Sequence, residues 1–189
     1  MTESLSEAGL VGKLPTHGDF VARGVGAAER SAIDDWLAGE VAAARDSFGT
    51  AYEGLYDQAP PCRFHIRSAG EAQAGALIAS MDRVGRRFPL MLWTASPDRA
   101  TAATVELLAY DALAEAWDAD CLYRELQAQI VSSGHAAGTA VEAHWWIEDS
   151  EGMTVATLTG GRPTGIIAEM LRWAGAAPEA SGEERRDAL

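Results

Sequence analysis

Apolar residues recur along this chain at two periods, and the switches between them mark out its elements. Ile33, Trp36, Leu37, Val41, Ala44 and Phe48 lie three or four positions apart. That spacing puts side chains on one face of an α-helix, so a helix is predicted over 28–48. Val105, Leu108, Ala109, Ala112, Leu113, Ala116 and Trp117 keep the same period and predict a helix over 100–118. Leu122, Leu126 and Ile130 suggest another at 121–131, and Ile167, Met170, Leu171 and Ala174 a last one at about 164–174.

Elsewhere the period is two or the run is continuous. Cys62, Phe64 and Ile66 alternate with Arg63, His65 and Arg67, the pattern of a strand with one apolar face. Ala74–Met81 and Phe88–Ala95 are apolar almost throughout, as expected of central strands covered on both sides. Asp82 to Arg87 joins them and contains Gly85, which suits an antiparallel hairpin. Gly9–Leu14 reads as a short strand stopped by Pro15, and a polar loop, Thr16-His17-Gly18-Asp19, follows. Val141–Glu148 and Met153–Thr159 flank the turn Asp149-Ser150-Glu151-Gly152 and form a second hairpin.

The predicted order is β-α-β-β-β-α-(α)-β-β-α. Consecutive strands joined by short turns make this an α+β fold, a single-domain sandwich with a largely antiparallel central sheet of about six strands and helices packed on it. Strict alternation of strand and helix is missing, which excludes a Rossmann fold. One domain is expected over 8–175, and residues 1–7 and 176–189, which lack apolar periodicity, are expected to be mobile termini.

Composition narrows the function classes. Against 28 acidic side chains there are 15 basic ones, a net charge of −13, so nucleic acid and an anionic membrane face would both repel the chain. No run approaches the roughly 18 apolar residues of a membrane span, which excludes direct membrane insertion. A basic leader followed by an apolar core is also missing from the start, so a cytoplasmic protein is expected. Cys62 and Cys121 show no CxxC spacing and read as free thiols in core positions.

The search for chemistry comes back largely empty. His17, His65, His135 and His144 form neither HxxxH nor HExxH with any neighbour, so no metal site is indicated, and His65 reads as a surface histidine. There is no GxSxG elbow, and neither cysteine has neighbours that would lower its pKa, so no catalytic residue is assigned. Gly160-Gly161-Arg162-Pro163-Thr164-Gly165 is not a phosphate loop, and Gly24-Val25-Gly26 lacks the third glycine of a dinucleotide site, so no cofactor is expected. Trp145 and Trp146 are neighbours on one strand and must point to opposite faces, so both faces there are expected to be covered.

Two polar stretches beside strands stand out, Gly12 to Gly24 and Ser80 to Leu90. The second holds one acid, Asp82, and three arginines, Arg83, Arg86 and Arg87, a local charge of +2 in an acidic chain. Lys13, His17, Asp19, Arg23, Asp82, Arg83, Arg86 and Arg87 are the candidates for a partner-binding surface or for a junction between the two motifs. Asp19 and Asp82 are also candidates to pair with Arg83 or Arg87 and to satisfy loop backbone groups.

At these stretches the sequence resembles the TagF/ImpM family of type VI secretion. Gly12 through Arg23 matches the family's G-K-L-P-x-x-G-D-F-V-x-R, and Ser80 through Leu90 its S-x-D-R-V-G-R-x-F-P-L. Between them Asp34-Asp35-Trp36-Leu37 matches D-x-W-L, and Pro60-Pro61-Cys62-Arg63-Phe64 matches a Pro-x-x-Arg-Phe strand start. The likeness is specific over about 9–95 and general beyond. Cys62 departs from it, since relatives commonly carry a larger aromatic there, which implies packing at that position. The resemblance implies a non-enzymatic, cytoplasmic accessory protein that restrains assembly or firing of the secretion apparatus after translation. The implied partner is the FHA-domain scaffold protein. The rival reading is an enzyme or small-anion sensor using His17, Asp19, Asp82 and Arg86.

Overall fold

The computed structural model describes residues 6–68, 71–131 and 142–174. It contains β1 (Ala8–Gly12), β2 (Val21–Arg23), α1 (Ala27–Phe48), α2 (Tyr52–Tyr56), β3 (Cys62–Ser68), β4 (Glu71–Ile78) and β5 (Leu90–Ala95). After these come α3 (Thr101–Ala114), α4 (Ala119–Ala128), β6 (Glu142–Glu148), β7 (Thr154–Thr159) and α5 (Ile166–Ala174). The strands form one antiparallel sheet in the order β2-β1-β5-β4-β3-β6-β7. The fold is α+β as expected, with seven strands where six were predicted.

Alternation along the strands divides the core into two apolar layers. On one face Val11, Leu77, Met91, Trp93, Phe64 and Trp145 pack against the apolar stripes of α1, α2 and α5. On the other, Leu10, Ala76, Ile78, Leu90 and Leu92 pack against α3 and α4. This is why β4 and β5 read as continuous apolar runs. Trp145 and Trp146 go to opposite faces as expected, and both are buried. Trp145 stacks against Phe64 with ring centroids 4.4 Å apart, and Trp146 packs with Ala74 and Ala102.

Several boundaries differ from the pattern, each for a local reason. β2 is three residues long, too short to show a period, so it was missed. The short helix α2 was also missed, lying between Gly49 and the prolines. β4 stops at Ile78 and β5 starts at Leu90, leaving 79–89 as a long connection with a single bridge between Met81 and Arg87. Asp82 gathers backbone N–H groups there, and Pro89 has none to offer a ladder. α3 ends at Ala114 because Ala116 turns left-handed at φ 55°, and α4 starts earlier than predicted, where the Asp118 side chain accepts from the Cys121 N–H at 2.8 Å. Cys62 is buried, its thiol pushed up to about 12 by burial. Cys121 is half-exposed on α4, which corrects its assignment to the core.

Of the terminal stretches read as mobile, only Ser6 and Glu7 fall among the described residues; their carbonyls accept bonds from the Trp93 indole and the Ala95 N–H. His135 and Val141 also lie outside the described residues. No described helix is long and apolar enough to cross a membrane.

Candidate functional site

Because Gly12 on β1 pairs with Leu90 on β5 and with Val21 on β2, the loop leaving β1 and the loop entering β5 emerge at the same end of the sheet. The approach is close enough that a side chain at Gly12, which has φ +142°, would strike the Pro89 carbonyl. Phe20 and Phe88, one from each motif, meet edge to face at 5.7 Å. The two motif loops therefore form one surface.

Asp82 is at its centre, with its side chain fully buried. Oδ2 takes Lys13 Nζ at 3.0 Å and Arg86 Nε at 2.6 Å, while Oδ1 accepts the N–H groups of Val84 at 3.1 Å and Arg86 at 2.9 Å. Burial alone would push this carboxyl up. The Arg86 N–H, the Lys13 ammonium, the Arg86 guanidinium and the Val84 N–H outweigh it and hold the group well below the usual carboxylate range. Asp82 thus pairs with Lys13 and Arg86, not with Arg83 or Arg87. Gly85, at φ +83°, closes the loop with its N–H on the Asp82 carbonyl.

Arg86 also reaches across to donate to the Gly18 carbonyl at 2.5 Å, and the Arg83 N–H bonds the His17 carbonyl at 2.8 Å. Behind the loop, Ser80 Oγ donates to the Lys13 carbonyl at 2.7 Å, and the buried Tyr56 hydroxyl lies 3.3 Å from both the Ser80 N–H and carbonyl. The loops are locked to each other through backbone as well as charge.

The other candidates turn outward or to the sides. Arg87 forks onto Asp57 with two bonds of 2.7 Å and reaches Glu53 at 3.2 Å, anchoring the loop to α2. Its hydrogen bond holds the Asp57 carboxyl below its ordinary range. His17 Nε2 accepts the Ala119 N–H at 3.0 Å, and Thr16 donates to the Trp117 carbonyl at 2.9 Å, so this loop also holds the start of α4. Arg23 pairs with Asp120 at 2.6 Å, away from the arginine loop. Asp19 is exposed and forms no ion pair among the described residues. The structure therefore unites Lys13, Asp82 and Arg86, adds the backbone of His17 and Arg83, and leaves Asp19 and Arg23 apart.

Two surfaces result. One is the loop tip, where Val84 is 69% exposed and Met81 36%, beside the exposed Arg83. The other is a groove of about 520 Å³ between α1 and the loop, with Val41 and Phe88 among its lining and Lys13, Arg45, Arg86 and Arg87 around it. Chemically the junction is filled, because both Asp82 oxygens and His17 Nε2 already carry bonds.

Sequence reasoning missed the partners that fix these groups, namely Tyr56, Asp57 and Asp120. It also missed a second cluster. Arg63, the motif arginine on β3, donates from Nε to Glu106 at 2.6 Å and from its terminal nitrogen to Glu148. Alternation on β3 already put Arg63 on the less apolar face; no pattern connected it to α3 or β6. His65, expected at the surface, is half-buried next to its cross-strand neighbour His144, and its Nε2 has no partner.

Comparison with known proteins agrees with this architecture. The sequence matches the family described as "TagF N-terminal domain, Type VI secretion system-associated" over residues 9–143. No curated protein matches it. The fold is similar to the crystal structure of PA0076 from Pseudomonas aeruginosa PAO1, with a TM-score of 0.68 and 24% identity over 96% of this chain and 97% of that one. With the family match spanning most of the described sheet and both motif loops, the chain belongs to the TagF family of type VI secretion-associated proteins.

Proposed function

We propose that this chain is a non-enzymatic, cytoplasmic regulator that restrains type VI secretion by binding a component of the apparatus through its paired motif loops. The observation that carries this reading is the contrast within 81–87. Asp82 is buried and fully bonded, while Arg83 and Val84 stand exposed on the loop it stiffens. A preorganised tip that presents an exposed arginine suits an interface anchor, because arginine is enriched at such positions and little ordering entropy is lost when a stiffened loop docks. The partner proposed from the family resemblance is the FHA-domain scaffold protein.

The junction's occupancy weighs against an enzyme or small-anion sensor at this site. A general base needs a free lone pair facing a substrate, and the bonds at Asp82 and His17 leave none directed outward.

The test is dose and charge. Overproduction is expected to silence a type VI system in proportion to the amount of protein, and Arg83→Glu is expected to weaken both silencing and co-purification of the scaffold. Arg83 makes no side-chain ion pair among the described residues, so the variant is expected to keep the wild-type melting temperature. A folded Arg83→Glu protein that silences and binds as wild type does would remove the tip from the interface. Silencing by trace amounts, far below the level of the scaffold, would favour catalysis instead.

A further inference from the structure

The two edges of the sheet are protected very differently. β2 is three residues long, its Arg23 is tied to Asp120, and the Tyr123 ring lies against Gly24, within 2.7 Å of where a side chain would begin. β7 runs six residues, Thr154-Val155-Ala156-Thr157-Leu158-Thr159, without a charge or a proline, and no described strand pairs with its outer side. An edge of this kind is a template for another strand, and monomeric proteins usually blunt it with lysine, proline, a bulge or brevity. β7 does carry a bulge, since Ile147 pairs with Ala156 and Glu148 with Thr154 so that Val155 is the extra residue, but it lies at the end next to the acidic turn and leaves Ala156 to Thr159 in unbroken register with β6.

The surroundings of the edge say what would fit it. Met153, immediately before β7, is 63% exposed, one of the few large apolar side chains in the described residues that faces water. The turn at that end is acidic, with exposed Asp149 and Glu151; the other end leads through Gly160 and Gly161 to the exposed Arg162. Glu151 and Arg162 make no ion pair among the described residues. The edge thus has a negative end, a neutral centre and a positive end, so it complements itself when reversed.

We propose that β7 pairs antiparallel with β7 of a second copy of this chain, around a two-fold axis, and joins the two sheets into one. Reversal sets the acidic turn of each copy against Arg162 of the other, and two-fold symmetry makes the contact twice. The central contact is free of charge, so two chains that each carry −13 meet without opposing like charges there. This pairing lies away from the motif loops and does not depend on the function proposed for them.

The test uses the full chain in sedimentation velocity across a range of micromolar concentrations. The expected mass rises with concentration from 20.0 kDa to twice that value. Thr157→Lys, at an exposed position near the two-fold axis, is expected to weaken the dimer at least about tenfold while keeping wild-type circular dichroism. Arg162→Glu is expected to weaken it as well, and Arg162→Glu combined with Glu151→Arg to restore it. A chain that stays at 20.0 kDa throughout overturns the proposal. So does a dimer that either Thr157→Lys or Arg162→Glu leaves unchanged, which would place the contact elsewhere.

Discussion

Replacing Arg63 with Met tests whether one side chain ties the two halves of the second face together. Arg63 spans Glu106 on α3 and Glu148 on β6, and the three side chains are 22%, 12% and 25% exposed. Glu148 is further engaged by the Trp146 indole at 2.9 Å, and Arg99 lies 3.8 Å over that ring. Methionine keeps the packing of the stem and removes the charge, leaving two mostly buried carboxylates facing each other. Removing one partner of a fully buried ion pair costs about 3–5 kcal/mol. Partial exposure lowers this, so about 2–4 kcal/mol is expected. At about 2–4 °C per kcal/mol for a chain of this length, the melting temperature should fall by roughly 5–15 °C. Adding Glu106→Gln should recover part of the loss at neutral pH. Thermal melts of the three proteins at neutral pH decide it. An Arg63→Met protein that melts within about 1 °C of wild type at neutral pH would refute the reasoning, because the carboxylates would then be solvated without the arginine.

Asp82→Asn should speed amide exchange at Val84 and Arg86, which bond its Oδ1. Its stability deficit should be full above pH 3.8, the ordinary Asp value, and fade as pH falls through the depressed folded value, where wild type loses the same charge. Unchanged exchange at both amides would mean that Asp82 does not order the loop. His65 is held below its ordinary 6.5, chiefly by burial, so only the unfolded chain binds its proton just below that pH. Stability is therefore expected to drop as pH falls below 6.5, more in wild type than in His65→Leu, by pH-dependent melts; parallel curves would contradict it. A bulky thiol reagent should label Cys121 readily in the native protein and Cys62 only on unfolding; fast native labelling of Cys62 would disprove its burial.

Periodicity by itself determined the long helices, the order of most strands and the α+β class, because burial on one face leaves a period that residue types record directly. The stripe from Ile33 to Phe48 and the alternation from Cys62 to Arg67 are both read without coordinates. Elements shorter than a period, β2 and α2, left no such record. The site divides the same way. The density of charge at Lys13, Asp82, Arg83, Arg86 and Arg87 was visible in the chain; the pairing was not. Coulomb attraction and hydrogen bonding depend on distances that three-dimensional packing sets, and Asp82 lies sixty-nine positions from Lys13 (82 − 13) yet 3.0 Å from its ammonium. Only the sheet order, which brings β1 beside β5, could choose Lys13 as a partner, and only the local turn with Gly85 at φ +83° could choose Arg86 over Arg83 and Arg87. For the same reason Arg63 carried no hint of Glu106 or Glu148, and the bare outer edge of β7 became visible only once every other strand had found its neighbours.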